Sequence, residues 1–161
     1  MIRQAVVLRI ARFAIMLAIV IIAFVALRGC EKHSIPTQDQ SMDPTYPGGT
    51  TVVAWHLAPE APLDRGKDVV YEMEKDGLTY ARFGRVQAIA GDEVGATDGK
   101  ITVNGTPVGP IPVPGEAMGR VPEGRVLILA INPAETRYPD SRTLGFIARD
   151  RIRAVIRTSL R

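Results

Sequence analysis

Apolar residues are spread unevenly along the chain and form one long run near the N-terminus. The run from Phe13 to Leu27 contains no polar side chain, which predicts a helix that is apolar on every side. At ~1.5 Å per residue it is about 22 Å long, shorter than the ~30 Å hydrocarbon core of a bilayer. Extending it back through residues 6–11 closes the gap if Arg9 and Arg12 reach the headgroups from one helix face. We therefore expect a transmembrane anchor at residues 13–29.

Basic residues flank this run asymmetrically and predict its orientation. Three arginines lie within residues 1–12, whereas Arg28 and Lys32 follow the run. Cytoplasmic flanks are enriched in Lys and Arg, so residues 1–12 are expected to be the cytoplasmic tail of a single-pass protein of the bacterial plasma membrane. A cleaved secretory signal is not favoured, because no A-x-A cleavage site follows the apolar run. A lipoprotein signal ending at Cys30 is the minority alternative, because Arg28 does not suit a lipobox.

After residue 30 the pattern changes to short apolar runs between turn residues. Residues 30–40 are polar and predict a linker, and residues 41–161 predict an extracytoplasmic all-β domain of antiparallel strands. Asn104-Gly105 predicts a type I′ hairpin turn, in which both central residues take positive φ. The predicted strands are Thr50–Trp55, Asp68–Met73, Thr79–Ala90, Lys100–Val103, Arg125–Leu129 and Asp150–Arg157.

Composition narrows the classes of function. The net charge is +3, but the arginines crowd the two ends of the chain and do not alternate with aromatic residues. Nucleic-acid binding is therefore not expected. The single cysteine, Cys30, allows no internal disulfide.

Four short motifs follow the anchor in a fixed order. They are Ser41-Met-Asp-Pro-Thr45, Arg85 to Val94 with its Gly-Asp pair, Asp98 to Gly105 (DGKITVNG), and Asp140-Ser-Arg142 with Gly145. A serine in a Pro-containing turn is by itself usually a structural residue. The ordered set, together with the anchor, resembles the type I signal peptidases, membrane-bound serine proteases that remove signal peptides from exported proteins. The resemblance covers roughly residues 12–157.

The resemblance implies an antiparallel two-sheet body with its active site near the outer membrane surface. It makes Ser41 the nucleophile, with Met42 and Pro44 at the substrate groove, and gives Asp140, Arg142 and Asn132 supporting roles. The implied partners are signal peptides of exported preproteins and the lipid bilayer. No cofactor and no metal ion are expected.

The chain departs from the family pattern where the general base should be. Gly84 occupies the position of the lysine that, as a neutral amine, takes the serine proton. The neighbouring arginines remain protonated at any working pH and cannot replace it. His56, at the end of a strand, is the better of two histidine candidates for another base.

Other departures lie close to the same function. Ala130-Ile131-Asn132 replaces a G-D-N box, and Tyr138 replaces a serine that supports the lysine in many members. Asp39 lies where some members have a hydroxyl that stabilises the oxyanion, and a carboxylate pointing inward would repel that charge. Two hypotheses remain: an active signal-peptide endopeptidase, or an impaired homologue that binds exported polypeptides or a partner peptidase without cleaving.

Overall fold

The structure is a computed structural model, and it describes residues 12–22, 24, 29–110 and 117–160. Residues 12–22 and 24 are helical. Among the described residues, no helix is both long enough and apolar enough to span a bilayer. Much of the predicted tail and anchor, residues 1–11, 23 and 25–28, lies outside the described residues.

Two antiparallel sheets form the body, as the sequence predicts. The large sheet has seven strands in the order β1-β2-β11-β3-β4-β9-β10, and the small sheet has four in the order β7-β6-β5-β8. The strands are β1 Cys30–Ser34, β2 Thr51–His56, β3 Asp68–Lys75, β4 Leu78–Ala88, β5 Glu93–Thr97, β6 Lys100–Val103, β7 Thr106–Pro110, β8 Gly119–Arg120, β9 Arg125–Leu129, β10 Ile147–Ala148 and β11 Ile152–Leu160. A short helix at Ser141–Leu144 and a 3₁₀ turn at Arg149–Arg151 complete the described elements.

Local sequence accounts for several of these elements. The bounds of β6 and β9 agree with the predicted runs. Asn104 and Gly105 have φ of 49° and 81°, as the predicted hairpin turn between β6 and β7 requires.

The prediction of a linker at residues 30–40 is wrong for residues 30–34. Cys30–Ser34 forms β1, which pairs antiparallel with β2 from Cys30↔Trp55 to Ser34↔Thr51. The segment is polar because β1 is an edge strand, half-exposed along most of its length. The polarity of a segment does not show whether its backbone pairs with a neighbouring strand. The β body therefore extends to residue 30, further than the sequence predicts.

Side chains of the large sheet pack on both of its faces. One face carries the core that includes Met42, Val70 and Phe83, and it continues into the core against the small sheet. The opposite face carries the core that includes Tyr71 and Val86. Since successive strand residues point to opposite faces, the position of Gly84 faces Tyr71 rather than Met42.

Candidate functional site

The predicted nucleophile lies in a buried turn between β1 and β2. Ser41 is 3% exposed, and Met42 is fully buried in the core on the Phe83 face. Tyr46 N–H donates to the Met42 carbonyl at 2.9 Å, which closes the turn. The peptide bond before Pro44 is cis, and Pro44 is exposed. Of the two residues predicted to line the groove, only Pro44 is therefore open to solvent.

Asp39 engages the backbone amide of Ser41. Ser41 N–H donates to Asp39 Oδ1 at 2.9 Å, and Asp39 is 1% exposed. Asp39 Oδ2 is also buried and makes no hydrogen bond with any described residue. An amide beside a nucleophile is the kind of donor that stabilises an oxyanion. Here it already binds a carboxylate, so the inward orientation considered from the sequence is the one that the structure adopts.

The position of the missing lysine has no space for a side chain. A Cβ built on Gly84 would lie 2.5 Å from Ile128 Cγ2, 3.2 Å from the Leu129 carbonyl oxygen and 3.5 Å from Tyr71 Cε1. Carbon atoms in contact are normally ~3.5–4.0 Å apart. Gly84 is thus a point of close contact between β4 and β9, rather than an empty pocket left by a lost side chain.

Tyr71, which packs beside Gly84 on the same face of the sheet, is fully buried, and its hydroxyl donates to the Pro139 carbonyl at 3.1 Å. Burial raises the pKa of Tyr71 well above its ordinary value, and the charge of Asp140 acts in the same direction. The phenol consequently stays protonated at neutral pH and offers no base for a serine proton.

Asp140 and Arg142 stabilise the chain between β9 and the short helix. Asp140 caps that helix by accepting from Arg142 N–H at 2.9 Å, and it also accepts from Ala130 N–H at 2.8 Å. Arg142 Nε donates to Asp140 at 3.0 Å, while its two terminal nitrogens donate to the carbonyls of Pro133 and Glu135, each at 2.8 Å. Apart from the ion pair between the two side chains, the hydrogen bonds of Asp140 and Arg142 named here all go to backbone groups.

Contacts connect residues 38–46, the serine turn, to this region. Asn132 N–H donates to the Ser41 carbonyl at 3.0 Å, and the Asn132 side chain accepts from Ala134 N–H. The loop that begins at Asn132 therefore binds Ser41, and its later residue Pro139 accepts a hydrogen bond from Tyr71, the neighbour of Gly84.

Two residues that the sequence analysis did not single out also bind the serine turn. Glu135 accepts two hydrogen bonds from the Arg137 side chain, at 3.1 and 2.7 Å, and Arg137 Nη2 donates to the Gln38 carbonyl at 2.9 Å. Hydrogen bonds from Arg137 are the main reason that the pKa of Glu135 falls to about 2, and the Gln40 amide contributes. No motif marks these residues, because they lie in the loop between β9 and Asp140.

Tyr138, which the resemblance places where many members have a supporting serine, contacts two arginines through its ring. The Arg82 guanidinium lies 5.1 Å from its ring centroid and 5.3 Å from that of Tyr80. Such cation–π contacts stabilise without supplying a proton acceptor.

His56 is half-exposed, and its polar contacts lead away from the serine turn. Its Nδ1 is 3.9 Å from Glu31, and its backbone amide donates to the Gly29 carbonyl. It lines a cavity of about 540 Å³ together with His33, Glu72 and Arg153. Within the described part of the chain, His56 makes no hydrogen bond or ion pair with Ser41, and no cluster of His, Cys, Asp or Glu is suited to hold a metal ion.

A sequence model described as signal peptidase, peptidase S26, matches residues 8–160. A crystal structure of a signal peptidase I from Enterococcus faecalis V583 matches with a TM-score of 0.42 and 18% identity, covering 58% of this chain and 96% of that one. The comparison with curated proteins found no match.

Proposed function

The chain belongs to the signal peptidase, peptidase S26, family, and we propose that it binds exported polypeptides beside Ser41 without cleaving them. The family processes signal peptides of exported preproteins and is typically associated with membranes. The observation that carries the proposal is the close contact at Gly84. Ile128 and Leu129 occupy the space of the base that a serine peptidase of this type needs.

The environment of the Ser41 amide supports the same proposal. A tetrahedral intermediate needs donors aimed at its negative oxygen. In this turn the Ser41 amide is bound to the Asp39 carboxylate, whose charge would repel that oxygen. The chain keeps the serine, but position 84 offers no proton acceptor and the Ser41 amide is not free to bind an oxyanion. Each of these two features lowers the rate of peptide hydrolysis.

A polypeptide could bind along an open edge of the large sheet. β4 pairs with β3 from Leu78 to Arg85, but β9 pairs with β4 only from Arg85 onward. Among the described strands, none lies on the β9 side of residues 78–84. An extended segment can add to such an edge through backbone hydrogen bonds. This edge leads directly to the contact between Gly84 and Ile128.

Serine-dependent cleavage is the second candidate function. In its favour, Asp39 is buried in contact with Ser41 and has one oxygen without a described partner. Against it, no hydrogen bond in the described structure joins that oxygen to the Ser41 hydroxyl, and a general base must come within hydrogen-bond reach.

A preprotein assay separates the two functions. The detergent-solubilised full chain and a Ser41→Ala variant are each incubated with a preprotein, and both binding and cleavage are measured. We expect equal binding within about threefold, because a hydroxyl truncation removes little contact area, and no cleavage product from either protein. Cleavage that depends on Ser41 would establish a peptidase, and absence of binding would equally refute the proposal.

Photo-crosslinking locates the bound polypeptide. A photoreactive phenylalanine analogue replaces Tyr80 on β4 or, as the control, Met118, which is similarly exposed at 39% against 36%. Crosslinks to the preprotein at position 80 and not at 118 are expected if the β4 edge is used.

A further inference from the structure

The loop between β9 and Asp140 binds the serine turn at several points in succession. Asn132 N–H donates to the carbonyl of Ser41, and Arg137 Nη2 donates to the carbonyl of Gln38. The Gln40 amide also contributes to the carboxylate environment of Glu135. Three backbone positions within four residues of the turn are therefore bound by this one loop.

The loop is itself firmly attached to the body. Arg142 donates to the carbonyls of Pro133 and Glu135, and its Nε binds Asp140. Arg142 is largely buried, and so is Glu135, whereas the Arg137 side chain is 58% exposed. Arg137 is thus the most accessible of the charged groups that connect the loop to the serine turn.

We propose that residues 132–137 form a cover that closes the serine turn, fastened by Arg137 and Glu135, and that a polypeptide must release Arg137 from Gln38 to reach Ser41. The proposal rests on the proposed function for its ligand, but not for its geometry. Ser41 is 3% exposed and Asp39 1%, so access to this turn requires a local opening. Local opening occurs most readily where few and exposed contacts must break, and the Arg137–Gln38 hydrogen bond is such a contact.

Thiol labelling measures this opening without any ligand. Cys30, which is half-buried, is first replaced by serine, and Ser41→Cys then supplies the only thiol of the chain. We expect slow reaction with a maleimide in the folded full-length protein. Adding Arg137→Ala should accelerate the reaction roughly tenfold, because the cover loses its fastening. Loss of a nearby cation raises a thiol pKa and slows labelling, so acceleration cannot come from charge alone.

Arg153→Ala is the matched control. Arg153 is likewise half-exposed and paired with a glutamate, Glu72, at 2.6 Å, and in the described part of the chain no hydrogen bond or ion pair joins it to the serine turn. We expect its labelling rate to stay within about twofold of the parent, since surface ion pairs contribute little. Should Arg137→Ala impair folding, Arg137→Lys retains the charge without the forked geometry and should accelerate labelling to a smaller extent.

The outcomes for the cover and for the proposed function are distinct. Unchanged labelling in a folded Arg137→Ala or Arg137→Lys protein refutes the cover, whatever the preprotein assay gives. Faster labelling together with absent preprotein binding refutes the proposed function and leaves the cover standing. Where both hold, Arg137→Ala should also increase the rate of preprotein association.

Discussion

At the scale of single residues, the absence of a lysine at position 84 is a packing feature. Deleting a side chain from a core leaves a cavity when the neighbours do not move. Around Gly84, Ile128 Cγ2 and the Leu129 carbonyl oxygen occupy that space instead. The position predicted for the base therefore lies within the contact between two strands, and a lysine there would have to open that contact.

Substitution at Gly84 tests this packing directly. Gly84→Ala should lower the free energy of unfolding by about 1–3 kcal/mol through overpacking against Ile128, as measured by urea denaturation. Gly84→Lys should lower it at least as much, because an amine would also be buried, and should by itself give no serine-dependent cleavage.

Two companion variants control this result. Gly95 is another strand glycine, but its nearest neighbour for a Cβ is the Thr102 hydroxyl at 3.0 Å, a side-chain end that can rotate. Gly95→Ala should therefore cost less than Gly84→Ala. In an Ile128→Ala background the cost of Gly84→Ala should fall, since the clashing methyl is gone. An equal cost in both backgrounds, or full activity of Gly84→Lys, would contradict the packing explanation.

At the scale of elements, the sequence predicts the strands and turns that a local residue pattern determines. It does not predict a strand that forms only because its backbone pairs with a distant segment. β6 and β9 follow from short apolar runs, and the turn at Asn104 follows from backbone requirements. β1 escapes prediction because its polar residues form an edge strand whose pairing with β2 comes from distant sequence.

The same limit applies to the candidate site. Ser41, Gly84 and Asp39 could be identified because they lie in ordered motifs. Glu135 and Arg137 could not, since their significance comes from contacts with Gln38 and Gln40 almost a hundred residues earlier. Loops that bind other loops leave no periodic pattern in either segment.

The Glu135–Arg137 pair predicts a pH dependence for this loop. The pKa of Glu135 is about 2 when folded and near its ordinary value of ~4.3 when unfolded. The unfolded chain therefore binds the proton more readily, so the pair stabilises fully above the unfolded pKa and less as pH falls toward 2. Glu135→Gln should lower the free energy of unfolding at neutral pH by about 1–2 kcal/mol. The loss is modest because solvent screens the charge of the exposed Arg137.

Denaturation curves between pH 2.5 and 7 measure this dependence. The difference between Glu135→Gln and the parent should shrink as pH falls through the range of ~4 to 2. Glu123→Gln changes an exposed glutamate that forms no ion pair among the described residues, and it should leave the curve unchanged. A difference that stays constant with pH would show that the ion pair does not contribute through its charge.

At the scale of the whole molecule, the strands of the described body begin directly after Gly29. β1 begins at Cys30, and the Gly29 carbonyl accepts the His56 amide, so the large sheet uses the chain up to this point. The described helical residues before it expose apolar side chains, including Phe13 at 72% and Ile22 at 68%. Surface of this kind on a water-soluble helix is unfavourable, whereas in lipid it is not.

Deleting residues 1–28 should therefore separate folding from membrane attachment. We expect the truncated body to keep its cooperative unfolding, with a Tm within about 4 °C of the full chain, because every described strand lies after residue 28. The full chain should co-sediment with phospholipid vesicles even in high salt, which screens the arginines, whereas the truncated body should remain in the supernatant. Sedimentation of both proteins would assign attachment to the β body instead, and sedimentation of neither would refute the predicted anchor. The salt condition decides between insertion and surface charge, since only an apolar segment buried in hydrocarbon resists it.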